Sequence, residues 1–225
     1  MVQYAGCTNY LRGKKIIFAN WDGISIVLKA RGDRPLGKLA LENSDMQMYS
    51  KSCVPSVEKY ISSIRDLIHS KYNTKYTKTD RELISLLWKG YESDTEIISV
   101  EQTADDAAQR AIMRSLWSLI QQDEFLFFRY FSRSKFIPFI FGSCGHVYAV
   151  DSAPPTSVLH PGAMSIARLS RDSWHDRAQA AIGLLDIIES AQSEFHEYLH
   201  LCDIKGKNFG IAKDGNIKAI DMDMV

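Results

Sequence analysis

The most constraining pattern in this sequence lies in its last two dozen residues. Asp203 is followed two places on by Lys205 and five places on by Asn208, and Asp221 comes thirteen residues after that Asn. Between Asn208 and Asp221, two short apolar runs flank an Asp-Gly-Asn turn, which predicts a β-hairpin. Such a hairpin brings Asp221 back beside Asn208, so an amide oxygen and a carboxylate oxygen are expected to converge.

These residue types are the ones that phosphoryl transfer requires. Asp203 is suited to accept the proton of an attacking hydroxyl, and Lys205 to neutralise the transferred phosphate. Asn208 and Asp221 are suited to hold a divalent metal, Mg or Mn. An isolated Asp-x-Lys-x-x-Asn is also compatible with an ordinary polar turn. The hairpin and the offset of Asp221 favour a kinase-type site.

The start of the chain supplies a candidate lysine for the same site. Two β-rich runs around Asp22-Gly23 predict a hairpin whose second strand ends near Lys29. In kinases a strand Lys at this place pairs with nucleotide phosphates, although a Lys that closes a strand is often simply solvated. Gly13 stands nearly alone before the hairpin, so the signal for a phosphate-binding loop is weak.

The middle of the chain supplies a candidate partner for that lysine. A long helix is predicted from about Ala104 to Phe131, with Glu124 near its end, and strands are predicted at 136–141 and 146–150. Taken alone, Glu124 is typical of a solvated helix carboxylate. The order helix, strand, strand is that of a kinase N-lobe, where the helix Glu pairs with the strand Lys, and it favours Glu124 as that Glu.

The whole pattern predicts an α+β, protein-kinase-like fold. A small β-rich N-lobe with a long helix is expected over residues 1–150, with a helical insertion at about 44–103. Residues 151–225 are expected to form the hinge and the first part of a mainly helical, truncated C-lobe. Two other helices are predicted over 55–72 and 173–195, and a third is predicted to begin at a capping box formed by residues 79–82. The helix over 173–195 should pack through Trp174, Ala178, Ala181, Ile182, Leu185 and Ile188.

Composition narrows the class of partner. Lys+Arg and Asp+Glu are equal at 27 each, so no basic field predicts binding to nucleic acid. No secretory signal is visible, and the longest apolar stretch, Phe136 to Val150, is shorter than the roughly 18 residues of a membrane span. The four cysteines are far apart without a C-x-x-C pair, which argues against zinc and leaves disulfide pairing open; they are Cys7, Cys53, Cys144 and Cys202.

Several blocks of the sequence resemble the divergent protein kinase domain 1 family. They are Ser115–Leu119, Gln121–Phe125, Gly142–Val150, Cys202–Gly210 and Asp221–Val225. The resemblance implies a kinase-like protein, anchored in the endoplasmic-reticulum membrane by an N-terminal helix and largely luminal, that uses ATP and acts on a protein. It implies a nucleotide-pairing Lys, its helix Glu, a catalytic base and two metal ligands at Lys29, Glu124, Asp203, Asn208 and Asp221.

Three departures qualify the resemblance. Leu201-Cys202-Asp203 replaces His-Arg-Asp, which removes the Arg that binds an activation-loop phosphate. Asp221-Met222-Asp223 replaces Asp-Phe-Gly; either Asp suits a metal, and the spacing favours Asp221. Asp94 to Arg110 lacks the Asp-x-Asn-x-Asp-Gly ladder of an EF-hand, so no calcium binding is predicted.

Three functions therefore remain open at this point. The first is a protein kinase that uses ATP and a divalent metal, the second a pseudokinase that acts as a binding scaffold, and the third a small-molecule kinase, against which Lys205 argues. The chain stops two residues after Asp223, so we expect a fragment or a truncated gene model, and we expect this chain alone to phosphorylate nothing.

Overall fold

The computed structural model describes residues 2–8, 14–31, 57–72, 79–87, 107–153, 171–194, 205–212 and 214–222. The strands in these ranges are β1 Val2–Thr8, β2 Lys14–Trp21, β3 Ile24–Arg31, β4 Ile140–Cys144, β5 Val147–Asp151, β6 Phe209–Ile211 and β7 Ile217–Ala219. The helices are α1 Val57–Tyr72, α2 Asp80–Leu87, α3 Ala107–Ile120, α4 Asp123–Tyr130 and α5 Arg171–Glu194, with a 3₁₀ helix at Gly206–Asn208. The predicted α+β class is confirmed, and the division into lobes at residue 150 stays a prediction.

Five strands between Val2 and Asp151 form an antiparallel sheet in the order β1-β2-β3-β5-β4. The predicted β2–β3 hairpin is confirmed, and its turn residues Asp22 and Gly23 have φ angles of 49° and 86°. Both angles lie in the left-handed region that a two-residue hairpin turn of this type needs, which explains the Asp-Gly pair. The Gly23 N–H also donates to Asn20 Oδ1 at 2.8 Å.

The prediction of one long helix up to Phe131 is wrong, because the helix breaks between α3 and α4. Gln122 is extended, with φ −90° and ψ 108°, and α4 begins after it. Its side-chain Nε2 donates to the carbonyl of His146, at the β4–β5 turn, at 2.8 Å. This tertiary contact outweighs the local helical propensity. As a result Glu124 lies in the first turn of α4, where the helix dipole favours a carboxylate.

The predicted strand at 136–141 begins later than expected, at Ile140. Pro138 has no N–H to donate to a neighbouring strand, and the carbonyls of Phe136 and Phe139 accept hydrogen bonds from other parts of the chain. The Phe136 carbonyl accepts from the Ala219 N–H at 2.9 Å, which attaches β7 to this segment. The Phe139 carbonyl accepts from the Asp151 N–H at 2.8 Å. Residues 136–139 therefore join the second hairpin to the first sheet.

Helices α1 and α2 pack into the same core as α3 and α4. The predicted capping box before α2 is confirmed, since the Thr79 N–H donates to Glu82 Oε2 at 2.9 Å and the Glu82 N–H to Thr79 Oγ1 at 3.3 Å. At the other end of α2, the buried guanidinium of Arg129 donates to the carbonyls of Leu87 and Ser85 at 3.1 and 3.2 Å. It thereby satisfies carbonyls that a helix terminus leaves without partners.

The packing face predicted for α5 is wrong, although the helix itself is confirmed. The predicted residues Trp174, Leu185 and Ile188 are exposed, whereas Ala180 and Ile187 are buried. A Cβ on Gly183 would come within 3.0 Å of Ile217, so small residues on this side allow β7 to approach closely. Neither α5 nor any other helix in the described ranges is long and apolar enough to span a bilayer.

Strands β6 and β7 form the predicted C-terminal hairpin, which lies against the end of β5. At Gly210 in β6, an added Cβ would stand 1.9 Å from the carbonyl oxygen of Ala153. Backbone occupies that space, so relief requires the hairpin to move away from residue 153. The hairpin can therefore lie this close to residue 153 only with glycine at 210. The requirement is for space, since Gly210 does not have a positive φ angle.

We predict that Gly210→Ala lowers the free energy of unfolding by at least the roughly 1–3 kcal/mol typical of overpacking. Gly142→Ala is the matched control, because Gly142 also lies in a strand and an added Cβ there meets nothing within 4 Å. Urea denaturation of the two variants measures the difference. Equal stabilities of the two variants would contradict the close approach at Gly210.

Candidate functional site

Two lysines project from one face of the five-stranded sheet. In the β2–β3 register, Ile16 lies opposite Lys29 and Lys14 lies opposite Arg31. Cross-strand partners share a face, and so do residues two apart on one strand, which places Lys14 and Lys29 diagonally on the same face. Lys15, between Lys14 and Ile16, belongs to the other face.

Helix α4 covers this face and brings Glu124 to the lysines. Tyr148 in β5 lies opposite Lys29 in β3, and its ring packs edge-on against Phe125 with centroids 5.2 Å apart. This aromatic contact fixes the first turn of α4 over the sheet. Glu124 is the neighbour of Phe125 and is only 1% exposed. The carboxylate is therefore held where water is excluded.

Both carboxylate oxygens of Glu124 are bonded by ammonium groups. Lys29 Nζ donates to Oε1, and Lys14 Nζ donates to Oε2. Lys29 Nζ also stands 5.4 Å from the ring centroid of Phe128, one turn further along α4, at a cation–π distance. Removing one partner of such a buried pair costs about 3–5 kcal/mol, because the other charge stays buried.

The second hairpin is tied to this cluster through the residues around Asp221. Lys14 Nζ donates to Asp221 Oδ1 at 2.8 Å, and Lys29 Nζ donates to the Ile220 carbonyl at 2.5 Å. The Ile220 N–H in turn donates to the Asn208 carbonyl at 2.8 Å. Asn208 is 3% exposed, whereas the Asp221 side chain is 40% exposed. The cluster thus has a buried side at Glu124 and an accessible side at Asp221.

The structure brings together four of the residues expected from the sequence: Lys29, Glu124, Asn208 and Asp221. Lys205 precedes the 3₁₀ helix, its side chain is exposed, and its carbonyl accepts from the Asn208 N–H at 2.8 Å. Asp203 lies outside the described residues, as does Asp223. The roles assigned to all these residues in phosphoryl transfer stay predictions.

Lys14 is the residue of the cluster that the sequence interpretation missed. The signal was present, because the two-residue turn at Asp22-Gly23 sets Trp21 opposite Ile24 and so Ile16 opposite Lys29. Alternation along β2 then puts Lys14 on the face of Lys29. The sequence did not show the position of α4. Because α4 lies over this face, both lysines bond the same carboxylate, that of Glu124.

The donor atoms present are compatible with a divalent metal and nucleotide phosphates. Amide and carboxylate oxygens such as those of Asn208 and Asp221 are the ligands that Mg²⁺ and Mn²⁺ prefer. Within the described ranges no three His, Cys, Asp or Glu side chains group as metal ligands. A divalent ion at Asn208 and Asp221 would neutralise charge on the phosphates.

We predict that Glu124→Gln lowers the free energy of unfolding by about 3–5 kcal/mol, because two lysines then face a neutral amide in a buried site. Asp123→Asn is the matched control: Asp123 is the preceding residue of α4, pairs with Lys71 and has a side chain 49% exposed. Its exposed pair should contribute at most about 1 kcal/mol. Urea denaturation measures both, and a loss for Glu124→Gln as small as the control's would contradict the buried bridge.

Comparison with protein families agrees with this geometry. Residues 116–225 match the family model described as the protein-kinase domain of FAM69. The match includes α4 and both C-terminal strands, while Lys14 and Lys29 lie before it. No solved structure matches the chain. The matched residues 116–225 carry Glu124, Asn208 and Asp221, and the match is consistent with a divergent kinase domain of the kind that the motifs resemble.

Proposed function

We propose that this kinase-like domain binds ATP with Mg²⁺ or Mn²⁺ and transfers a phosphoryl group to a protein substrate. The observation that carries the proposal is the buried Lys29–Glu124 pair, with Asp221 and Asn208 attached to it through Ile220 and Lys14. Kinases need a strand Lys, a helix Glu and a metal-binding Asp in one place, because transfer depends on positioning and on neutralising phosphate charge.

Each residue has a distinct part in the proposed reaction. Glu124 holds Lys29 beside the second hairpin, and Lys29 pairs with the phosphates of the nucleotide. Asn208 and Asp221 supply oxygens for the metal. Asp203 accepts the proton of the substrate hydroxyl as that oxygen attacks the terminal phosphate. Lys205, exposed beside the loop, neutralises the phosphate as it moves.

The secretory pathway is the proposed location, with the chain on the luminal side of the endoplasmic-reticulum membrane. This part of the proposal rests on the family resemblance alone. The nature of the substrate as a protein rests on the same resemblance and on Lys205.

A second function, a non-catalytic binding scaffold, is favoured by one observation. Lys14 already contacts both Glu124 and Asp221. The chain's own ammonium group thus neutralises the carboxylate that a catalytic metal would use. A pseudokinase needs the fold and its surfaces, and does not need Asp221 to hold a metal.

We predict that MgATP raises the melting temperature of the chain and that Asp221→Asn abolishes most of this shift, since a ligand that binds the folded state stabilises it. Asp66→Asn, an exposed carboxylate on α1, is the matched control and should retain the shift. A wild-type chain that MgATP leaves unchanged would count against nucleotide binding.

Transfer of labelled phosphate from ATP to a library of Ser, Thr and Tyr peptides, measured on the full-length protein, separates the two functions. A kinase transfers label, and Asp203→Asn reduces the rate about 10²- to 10⁴-fold, as expected for a lost general base. A full-length protein that binds MgATP and yet labels no peptide is instead the scaffold, and labelling that Asp203→Asn leaves unchanged would contradict the role of Asp203 as the base.

A further inference from the structure

We propose that the ion pair between Lys14 and Asp221 is an exchangeable block on the metal site. The Lys14 ammonium bonds a carboxylate oxygen of Asp221 and has to leave it before that carboxylate takes a divalent cation. The inference rests on the proposed function, because it adds a means of regulation to the metal ligand assigned there. Lys29 keeps its proposed pairing with the nucleotide phosphates, and Lys14 lies before the segment that the family model matches.

The ammonium group of Lys14 lies between a buried carboxylate and an accessible one. It donates to Glu124 Oε2 and, at 2.8 Å, to Asp221 Oδ1. The side chain of Glu124 is 1% exposed, whereas that of Asp221 is 40% exposed. One lysine therefore connects the interior of the cluster to the carboxylate that solvent reaches.

Of these two bonds, the one to Asp221 is suited to exchange. Ion pairs that water reaches are weak, whereas a buried carboxylate that loses a cation is left with an uncompensated charge. The side chain of Lys14 is itself 15% exposed, so solvent reaches part of the pair from both sides. Lys14 can thus leave Asp221 while its bond to Glu124 still holds β2 against α4.

A divalent cation and Lys14 compete for the same carboxylate. Mg²⁺ and Mn²⁺ prefer carboxylate oxygens, and an ammonium close to the same oxygens repels a second cation. The bond between Lys14 and Asp221 therefore opposes metal binding twice, through the attraction that has to be broken and through the repulsion that follows if it is kept. In the absence of metal the same bond ties the second hairpin to the sheet.

Mn²⁺ alone is the probe, and electron paramagnetic resonance of free Mn²⁺ measures its affinity for the full chain. Lys14→Gln should raise this affinity about 5- to 50-fold, because a neutral amide neither forms an ion pair with Asp221 nor repels the metal. The Gln amide can still donate to Glu124, and circular dichroism verifies the fold. Lys15→Gln is the matched control: it removes the same charge from the opposite face of β2 and should change the affinity less than about twofold.

A crystal structure of the wild-type chain with Mn²⁺ separates displacement from simple repulsion between charges. Lys14 Nζ should lie more than about 3.5 Å from both carboxylate oxygens of Asp221, beyond hydrogen-bond distance, and should still bond Glu124. A structure in which Mn²⁺ and Lys14 both contact Asp221 overturns the inference. An unchanged or lower Mn²⁺ affinity in Lys14→Gln overturns it as well, and so does an equal rise in Lys15→Gln.

The shift in melting temperature with MgATP distinguishes this inference from the proposed function. If MgATP stabilises the wild type while Lys14→Gln binds Mn²⁺ no more tightly, the block is rejected and nucleotide binding stands. If Lys14→Gln binds Mn²⁺ more tightly in a chain that MgATP does not stabilise, the block is supported and nucleotide binding is rejected. If neither the wild type nor Lys14→Gln binds Mn²⁺, the block is rejected, and the MgATP shift alone decides whether nucleotide binding stands.

Discussion

Burial of the Glu124 carboxylate is the constraint on which the rest of the site depends. A charged group that is 1% exposed is tolerated only when cations and hydrogen bonds replace its water. Lys29 and Lys14 supply them, one on each oxygen. Since the lysines come from two strands and the carboxylate from α4, the charge balance fixes the helix against the sheet.

The same lysines extend the constraint to the C-terminal hairpin. Lys29 bonds the Ile220 carbonyl and Lys14 bonds Asp221, so the hairpin is positioned by the cations that neutralise Glu124. Close packing acts in the same direction, because Gly210 admits the Ala153 carbonyl where a side chain would not fit. The arrangement therefore couples the sheet, the helix and the loop that holds Asn208.

Local chemistry explains which parts could be predicted from the sequence. Asp22-Gly23 determines its hairpin through the φ angles that it permits, and the hairpin determines which lysines share a face. The break at Gln122 could not be predicted, because it depends on the carbonyl of His146, far along the chain. The buried side of α5 depends similarly on Ile217 meeting Gly183, and a larger apolar stripe elsewhere on the helix misled the prediction.

For the site, the sequence was sufficient to pair Lys29 with Glu124 and to place Asp221 near Asn208. The first follows from the order helix, strand, strand of a kinase N-lobe, and the second from the spacing of the C-terminal hairpin. It was not sufficient to place Lys14 in the cluster. Lys14 reaches Glu124 because it lies diagonally from Lys29 on the neighbouring strand and because α4 packs over both strands. Electrostatic clusters of this kind are set by tertiary packing, and a pattern along the chain shows only part of them.

The central claim, that the Lys29–Glu124 pair holds the site together, is tested most directly by a double-mutant cycle. Free energies of unfolding in urea are measured for the wild type, Lys29→Met, Glu124→Leu and the double variant. Each single change should cost about 3–5 kcal/mol, and the double variant should be more stable than their sum predicts by about 0.5–3 kcal/mol. Additivity within about 0.5 kcal/mol would contradict the claim.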